Sequence, residues 1–461
     1  MNFKSLCFII YLLTVIYSVQ SLVIPEKIKP DAVNFTGLRE FDGVPIEASS
    51  DVVDAVIVKA VEIPEEKVTY EGSQLWRVLA DNEQADFVSF LQDTGEVVKW
   101  TGNDSTVDVL VRPDMIPRVS RFLRERQVKY DVVIPDIQQA IDQENPLPSA
   151  EEIEELEGRK GHRMEWSSYH RLEDIHGFLD YLADTFPDLC SVMTIGNSVE
   201  GRALKVLRIS KGDPNVPAIW IDGGIHAREW ISPASVTYII NYLVENSDEL
   251  QADYYILPVV NPDGYEYSFR GDRLWRKNRS SPEKGGVCIG VDLNRNFGYR
   301  WGGLGTSKQP CREIFAGTGP FSEPETAAMK NFFEASAANF KAYLSFHSYG
   351  QYILYPWGYD RRVPPDYADL ERVGQQSAAA MKSAGGSGSV YTVGNSATTL
   401  YAAAGGSDDW AKAILKIKYA YTIELRDKGK SGFILPARYI IPTAKEALAA
   451  VLTITEACKS V

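Results

Sequence analysis

Two short apolar stretches of this chain run into a histidine, and a third runs into a glutamate. Pro217-Ala-Ile-Trp-Ile-Asp222 leads into Gly223-Gly-Ile-His226-Ala-Arg-Glu229, Lys341-Ala-Tyr-Leu-Ser-Phe346 into His347, and Tyr419-Ala-Tyr-Thr-Ile423 into Glu424. His226, Glu229 and His347 together offer two imidazoles and a carboxylate, a ligand set of catalytic zinc that leaves a fourth position for water. A separation of three residues lets His226 and Glu229 reach one ion from a turn that opens a helix. Glu424 remains as a carboxylate free to work as a general base. A lone histidine at a strand end is ordinarily structural, and His-x-x-Glu alone is a weak motif. The weight comes from their matching placement in a chain with only five histidines.

Polar residues near the same strand ends extend the chemistry. Arg228 lies inside the His-x-x-Glu turn, Arg276 in Leu274-Trp-Arg-Lys277, and Asn294 beside Arg295 in Val291-Asp-Leu-Asn-Arg-Asn296. Guanidinium forks bind carboxylates through two hydrogen bonds. A clamp of that kind next to a zinc selects the free C-terminus of a peptide or protein. Arg276 is alternatively suited to meet a developing oxyanion. Asp292 is suited to accept from the free ring N–H of a ligand histidine and so fix its tautomer. Taken singly, each arginine reads as a surface or ion-pair residue.

From Trp166 onward, strands and helices alternate. The pattern predicts helices over Leu172–Thr185, Pro233–Val244, Pro324–Ala337, Tyr367–Ser383 and Pro442–Cys458. It predicts strands over Ser191–Ile195, Ala203–Ile209, Ala218–Asp222 and Tyr254–Val260, and in the stretches before His347 and Glu424. Such alternation gives an α/β sandwich of three layers, α/β/α, around a parallel or mixed sheet. Open α/β sheets bind ligands beyond the carboxyl ends of their strands. His226, His347 and Glu424 all fall there, which favours one shared site.

A smaller unit precedes it. Strands are expected over Gln74–Ala80, Val97–Gly102, Thr106–Arg112 and Tyr130–Pro135, and helices over Asn82–Leu91 and Met115–Gln127. This βαββαβ order closes a ferredoxin-like, α+β sheet with two helices on one face. A further helix is expected over Asp136–Gln143. Then come Pro-rich Asn145–Ser149, acidic Glu151–Glu157 and basic Gly158-Arg-Lys-Gly-His-Arg163. An acidic run is usually a solvated helix face. Ending in a Gly-flanked basic cluster, it reads as a segment exposed to a trypsin-like protease.

The 461 residues suit about two or three domains. A net charge of −14 argues against nucleic acid or an anionic membrane as partner. Residues 1–21 carry an early lysine, the apolar run Leu6–Val19 and small residues before Leu22, the pattern of a secretory signal peptide. The mature protein is therefore expected to be secreted, extracellular and monomeric. Residues 22–66 read as an extended lead-in. Of the five cysteines, Cys7 leaves with the signal. Cys288 and Cys311 suit a disulfide in an oxidising compartment, and Cys190 and Cys458 are left either paired or free. Sequons at Asn34, Asn103 and Asn278 are candidate glycan sites.

These motifs resemble a known family. Gly224-Ile-His-Ala-Arg-Glu-Trp-Ile231, Asn261-Pro-Asp-Gly264, Arg273-Leu-Trp-Arg-Lys277, Val291-Asp-Leu-Asn-Arg-Asn296, Leu344-Ser-Phe-His-Ser-Tyr349, Ala404-Gly-Gly-Ser407 and Tyr421-Thr-Ile-Glu-Leu-Arg-Asp427 keep the order and rough spacing of secreted zinc metallocarboxypeptidase proenzymes of the pancreatic A/B type. The resemblance covers about Gln74 to the C-terminus and is nearest the B type. Two histidines and a glutamate on zinc are that family's standard example, so the ligand set is not independent of the resemblance. The resemblance implies one zinc per chain on His226, Glu229 and His347, Glu424 as base, and Arg276 as oxyanion stabiliser. It implies Asn294, Arg295 and Tyr401 as the clamp on the terminal carboxylate, and Arg228, Tyr349 and Phe433 as subsite contacts along the peptide. It also implies the Cys288–Cys311 disulfide.

Specificity in that family is set just after Gly-Gly-Ser, here Asp408-Asp409-Trp410. Asp408 stands at the selecting position, where B-type enzymes carry aspartate and A-type enzymes an apolar residue. It implies release of C-terminal lysine or arginine. Gly358 departs from the serine frequent in B-type enzymes, while small Ser396 on the opposite wall leaves room for a long side chain. The expected layout is signal 1–21, activation propeptide 22–163 with a globular part at about 67–136, and catalytic domain 164–461. The propeptide would cover the cleft until cut after Arg159, Lys160 or Arg163.

Overall fold

The computed structural model describes residues 67–460 apart from 80–86, 89, 93, 103–104, 148, 150–153, 156–160 and 283–285. The signal segment, the lead-in, the Asn34 and Asn103 sequons, and Arg159 with Lys160 lie outside the described residues.

The smaller unit forms from β1 (Gln74–Leu79), β2 (Val98–Gly102), β3 (Thr106–Val111), α1 (Ile116–Glu125) and β4 (Tyr130–Ile134). Its antiparallel sheet runs β2-β3-β1-β4, the expected split-βαβ order. Residues 87–88 and 90–92 are helical, reaching one residue past the end of the helix expected before β2. Period-two alternation gives this sheet two apolar faces. Trp76, Val78, Val107 and Val109 pack with Val119 and Leu123 of α1. Leu75, Trp100, Leu110 and Ile134 emerge on the other face, where they meet Leu274, Tyr349, Phe433 and Ile434 of the larger unit. Burying each such side chain contributes roughly 1.5–3 kcal/mol. The face turned away from α1 is thus the one that docks, with Ile137, Ala140 and Ile141 of the following helix packed beside it. α2 (Ile137–Glu144) follows, its first turn capped by Asp136, which accepts from the Gln139 N–H at 3.0 Å.

The larger unit continues with α3 (Leu172–Thr185), β5 (Cys190–Asn197), β6 (Ala203–Ile209), β7 (Ala218–Asp222), α4 (Ile231–Glu245), β8 (Asp253–Leu257), α5 (Pro262–Arg270), α6 (Pro324–Ala335), β9 (Phe340–His347), β10 (Tyr352–Tyr355), α7 (Tyr367–Gly385), β11 (Thr392–Asn395), α8 (Ser407–Ala413), β12 (Tyr419–Glu424) and α9 (Ile440–Cys458). Its mixed sheet runs β11-β10-β12-β9-β7-β8-β6-β5. The central strands β8, β7, β9 and β12 are mutually parallel. Ile219, Ile221, Leu344, Phe346, Tyr421 and Ile423 face one apolar layer with α3, α4, α7 and α9. Ala218, Trp220, Tyr343 and Ala420 face the other, with Met329 of α6 and Trp410 of α8. Both faces are covered, which is why these strands read as nearly continuous apolar runs.

Several elements differ from the sequence reading. β8 stops at Leu257, and Asn261 caps α5, accepting from Gly264 N–H at 2.9 Å with Pro262 in the first turn. β10 and β11 are four-residue strands at the sheet edge, too short to show a period. α8, also unread, begins within the Gly-Gly-Ser motif.

The Cys288–Cys311 disulfide is present, with Cα atoms 4.9 Å apart. Cys190 and Cys458 are free and buried. The Asn278 sequon is not a glycan site in this fold. Its side chain is fully buried, donates to Glu323 and Glu325, and accepts from the Val291 N–H. No helix among the described residues is long and apolar enough to cross a membrane.

Candidate active site

β7 ends at Asp222, and the chain turns at Gly223-Gly224 to bring His226 and Glu229 over the sheet edge. Gly224 has φ +63°, and a Cβ there would stand 2.9 Å from Pro233, so no other residue fits without strain. The turn is pinned by Val260 N–H to Gly223 C=O and Ala227 N–H to Arg276 C=O. β9 lies beside β7 with Ser345 opposite Asp222, which delivers His347 next to that turn. β12 pairs with β9 so that Glu424 is opposite His347. Three adjacent parallel strands therefore converge on one point.

His226, Glu229 and His347 are all buried. The two Nδ1 atoms are 3.2 Å apart, Glu229 Oε2 is 3.2 Å from His347 Nδ1, and Glu229 Oε1 is 2.8 Å from His226 Nδ1. Ligand atoms on a tetrahedral zinc with bonds of 2.0–2.1 Å stand about 3.3 Å apart. The observed edges fit such an ion, and these three are the one such donor group among the described residues.

Each ring is held from behind. His226 Nε2 lies 3.1 Å from Asp292 Oδ1, and Asp292 Oδ2 accepts from Arg276 at 2.8 and 3.1 Å. Burial alone would push the Asp292 carboxyl up. Arg276, Arg295 and His226 outweigh it and hold the group well below the usual carboxylate range. His347 Nε2 lies 3.1 Å from Ser345 Oγ, which donates to Asp222 at 2.6 Å. Trp220 Nε1 holds the other oxygen of Asp222 at 2.7 Å. Both histidines are thereby fixed with Nδ1 toward the shared point. Asp222 and Ser345 were not singled out in the sequence. The available signal was an acid closing an otherwise apolar strand.

Electrostatics follow from this packing. Burial opposes a charged His347, yet Glu229, with Glu424 and Asp222 nearby, pushes the metal-free ring up to about 9. Burial pushes Glu424 up to about 8, with Glu229 adding to it and His347, Arg276 and Arg295 opposing. A carboxyl so raised is a stronger base than one in water.

One cavity is lined by His226, His347, Glu424, Arg276, Asn294, Arg295, Tyr401 and Asp408. Asn294 Oδ1 accepts from Ser407 N–H at 2.9 Å, tying the 292–296 loop to the start of α8. Arg295 is steadied by the Gly305 and Asn294 carbonyls. The two neighbouring aspartates part company. Asp409 accepts from Gly358 and Tyr359 N–H at 2.8 and 2.9 Å, fixing the wall opposite. Asp408 is buried, faces the cavity, and has no ion-pair partner among the described residues. Burial pushes its carboxyl up. Gly358 and Ser396 line the same cavity.

Arg228, Tyr349 and Phe433 sit further out. Arg228 pairs with Glu313 at 3.2 Å and lies 4.2 Å over the Phe433 ring, which packs edge-on to Tyr349. The smaller unit covers these residues. Trp100 packs at a tilt with its ring centre 5.0 Å from that of Phe433, and Tyr349 Oη donates at 2.8 Å to Asp108, itself forked by Arg77. Arg273 and Glu144 form a buried two-bond ion pair across the same boundary.

Residues 175–450 match the family model described as zinc carboxypeptidase, and residues 76–144 match the carboxypeptidase activation peptide. Carboxypeptidase B of Astacus astacus is 49% identical over 61% of this chain and 94% of its own length. Carboxypeptidase A1 of Sus scrofa is 38% identical over 85% of this chain and 94% of its own. The crystal structure of the carboxypeptidase A from Helicoverpa armigera superposes with a TM-score of 0.76 at 30% identity, covering 86% of this chain and 99% of that one.

Proposed function

The chain belongs to the zinc carboxypeptidase family as an A/B-type zymogen with its activation peptide, and from that premise we propose that its mature form releases C-terminal lysine and arginine. The observation that carries the reading is Asp408. A buried carboxylate with no ion-pair partner among the described residues, facing the cavity that holds the metal ligands, is costly unless a cation arrives. A lysine or arginine side chain of the substrate supplies that cation, whereas phenylalanine would leave the charge unpaired. The A and B relatives both resemble the chain, so the choice between them rests on this residue.

His226, Glu229 and His347 would hold zinc, which would supply a Lewis acid for water activation and carbonyl polarisation. Glu424, raised by burial, accepts the proton of the attacking water and returns it to the leaving amine. Arg276, held by Asp292, donates to the developing oxyanion. Asn294, Arg295 and Tyr401 grip the terminal carboxylate, and Arg228, Tyr349 and Phe433 hold the preceding residues. A peptide gripped at its terminus is positioned for cleavage of its last bond alone.

Secretion, a signal over 1–21 and a propeptide boundary near 163 belong to the same proposal. His162 packs between Phe178 and Tyr181, and Met164 is buried. A protease that needs an extended strand on both sides of the scissile bond is poorly served after Arg163 in this fold. The test is to treat the proenzyme with trypsin and offer peptides ending in Lys, Arg, Phe or Glu, with and without chelator. Chelator-sensitive release of Lys and Arg is expected. Preferred release of Phe overturns the Asp408 argument.

A further inference from the structure

We propose that the zymogen holds an anion site built across its domain boundary, where Lys99 of the propeptide joins Arg228, Arg276 and Arg295 of the cleft around a small oxyanion, a phosphate or a carboxylate. These side chains, with Trp100 and Thr101, line one cavity of about 450 Å³. Five cationic side chains face it, the fifth being Arg312, against a single lining carboxylate, Glu313. Glu313 is already engaged by Arg228 and Asp292 by Arg276. Lys99 has no carboxylate partner among the described residues. Its Nζ lies 5.8 Å from the Tyr401 ring, and burial pushes the ammonium down. Arg228 is almost wholly buried, and its Nε has no hydrogen-bond partner among the described residues.

Cationic donors that outnumber the carboxylates lining a partly desolvated space favour a counter-anion, through charge-assisted hydrogen bonds. Hydroxyls of Thr101 and Ser307 line the same cavity and add neutral donors. The occupant must be small. Trp100 packs on Phe433, and Tyr349 is bonded to Asp108, so the path along which a peptide would leave the cleft is closed. An anion here contacts both domains and therefore holds the propeptide in place. It is distinct from a bound substrate, because Lys99 departs with the propeptide.

The experiment uses the intact proenzyme and inorganic phosphate as probe, with acetate as the carboxylate arm and chloride matching ionic strength. Phosphate is expected to raise the melting midpoint with the logarithm of its concentration, by about 2–4 °C at a hundredfold excess over Kd. It is also expected to slow trypsin cleavage of the propeptide, followed on gels, at least twofold. Lys99→Gln should lose most of both effects. Lys99→Glu, which places its own carboxylate among the arginines, should be insensitive to phosphate. The mature enzyme, lacking Lys99, should bind phosphate at least tenfold more weakly. A phosphate response no larger than that of chloride, or one unchanged in Lys99→Gln, overturns the proposal. A larger acetate than phosphate response assigns the site to carboxylates. None of these readouts needs turnover, so they stand or fall separately from the peptidase reading.

Discussion

Replacing Asp408 by Asn separates a specificity residue from a structural one, because the two roles predict opposite signs. Asp408 is buried, without a cation partner among the described residues, and its carboxyl is pushed up chiefly by burial. The charge therefore opposes folding at neutral pH, as a raised carboxyl does once it ionises. Asn removes the charge at nearly constant volume. Stability should rise, by about 1 kcal/mol or somewhat more, which for a chain of this size is on the order of 2 °C in the midpoint. Activity should move the other way. A substrate ammonium buried without its partner loses about 3–5 kcal/mol, so kcat/KM for a lysine-terminated peptide should fall by roughly 10²–10⁴-fold. The same change should raise kcat/KM for a phenylalanine-terminated peptide. The assay is steady-state hydrolysis of matched peptides by the trypsin-activated enzyme, beside thermal unfolding at pH 7. A Lys/Phe ratio preserved within tenfold, or a lower midpoint in the variant, refutes the reasoning. The second outcome would make Asp408 a structural anchor like Asp409, which accepts two backbone N–H bonds.

Glu424→Gln should lower kcat by about 10²–10⁴-fold while leaving one zinc per chain by metal analysis; retained turnover would remove Glu424 as the base. The metal-free His347 ring is pushed up to about 9, so a proton competes with zinc below that pH. Apparent zinc affinity should fall about tenfold per pH unit as pH drops from 8 to 6, seen as faster metal loss to a chelator; a flat profile contradicts it. Glu144→Gln leaves Arg273 buried with only the Arg228 and Phe433 carbonyls as partners. The propeptide's hold should weaken by about 3–5 kcal/mol, measured as activity appearing before trypsin treatment, whereas an unchanged latent proenzyme would show that the pair contributes little.

The order of strands and helices was legible because the central strands are covered on both faces and the helices on one, so apolar periodicity reports each faithfully. Residues types at the strand ends exposed the metal ligands and Glu424 for the same reason, since each interrupts an apolar run. β10, β11 and α8 were not legible, being too short to establish a period, and α5 was hidden because its Asn-Pro start looks like the end of a strand. Asp222 and Ser345 escaped notice because their roles depend on β7 and β9 being neighbours, a relation no local pattern carries. Asn278 shows the converse, a motif complete in sequence but closed by packing. Sequence alone determined which residue types were available and where along the chain each element would place them. Only the tertiary structure decided that three strand ends share one point, that Asp408 rather than Asp409 faces the cavity, and that the second face of the propeptide sheet lies on the cleft. Those outcomes depend on contacts between residues far apart in the chain, and such contacts are fixed by how whole faces pack.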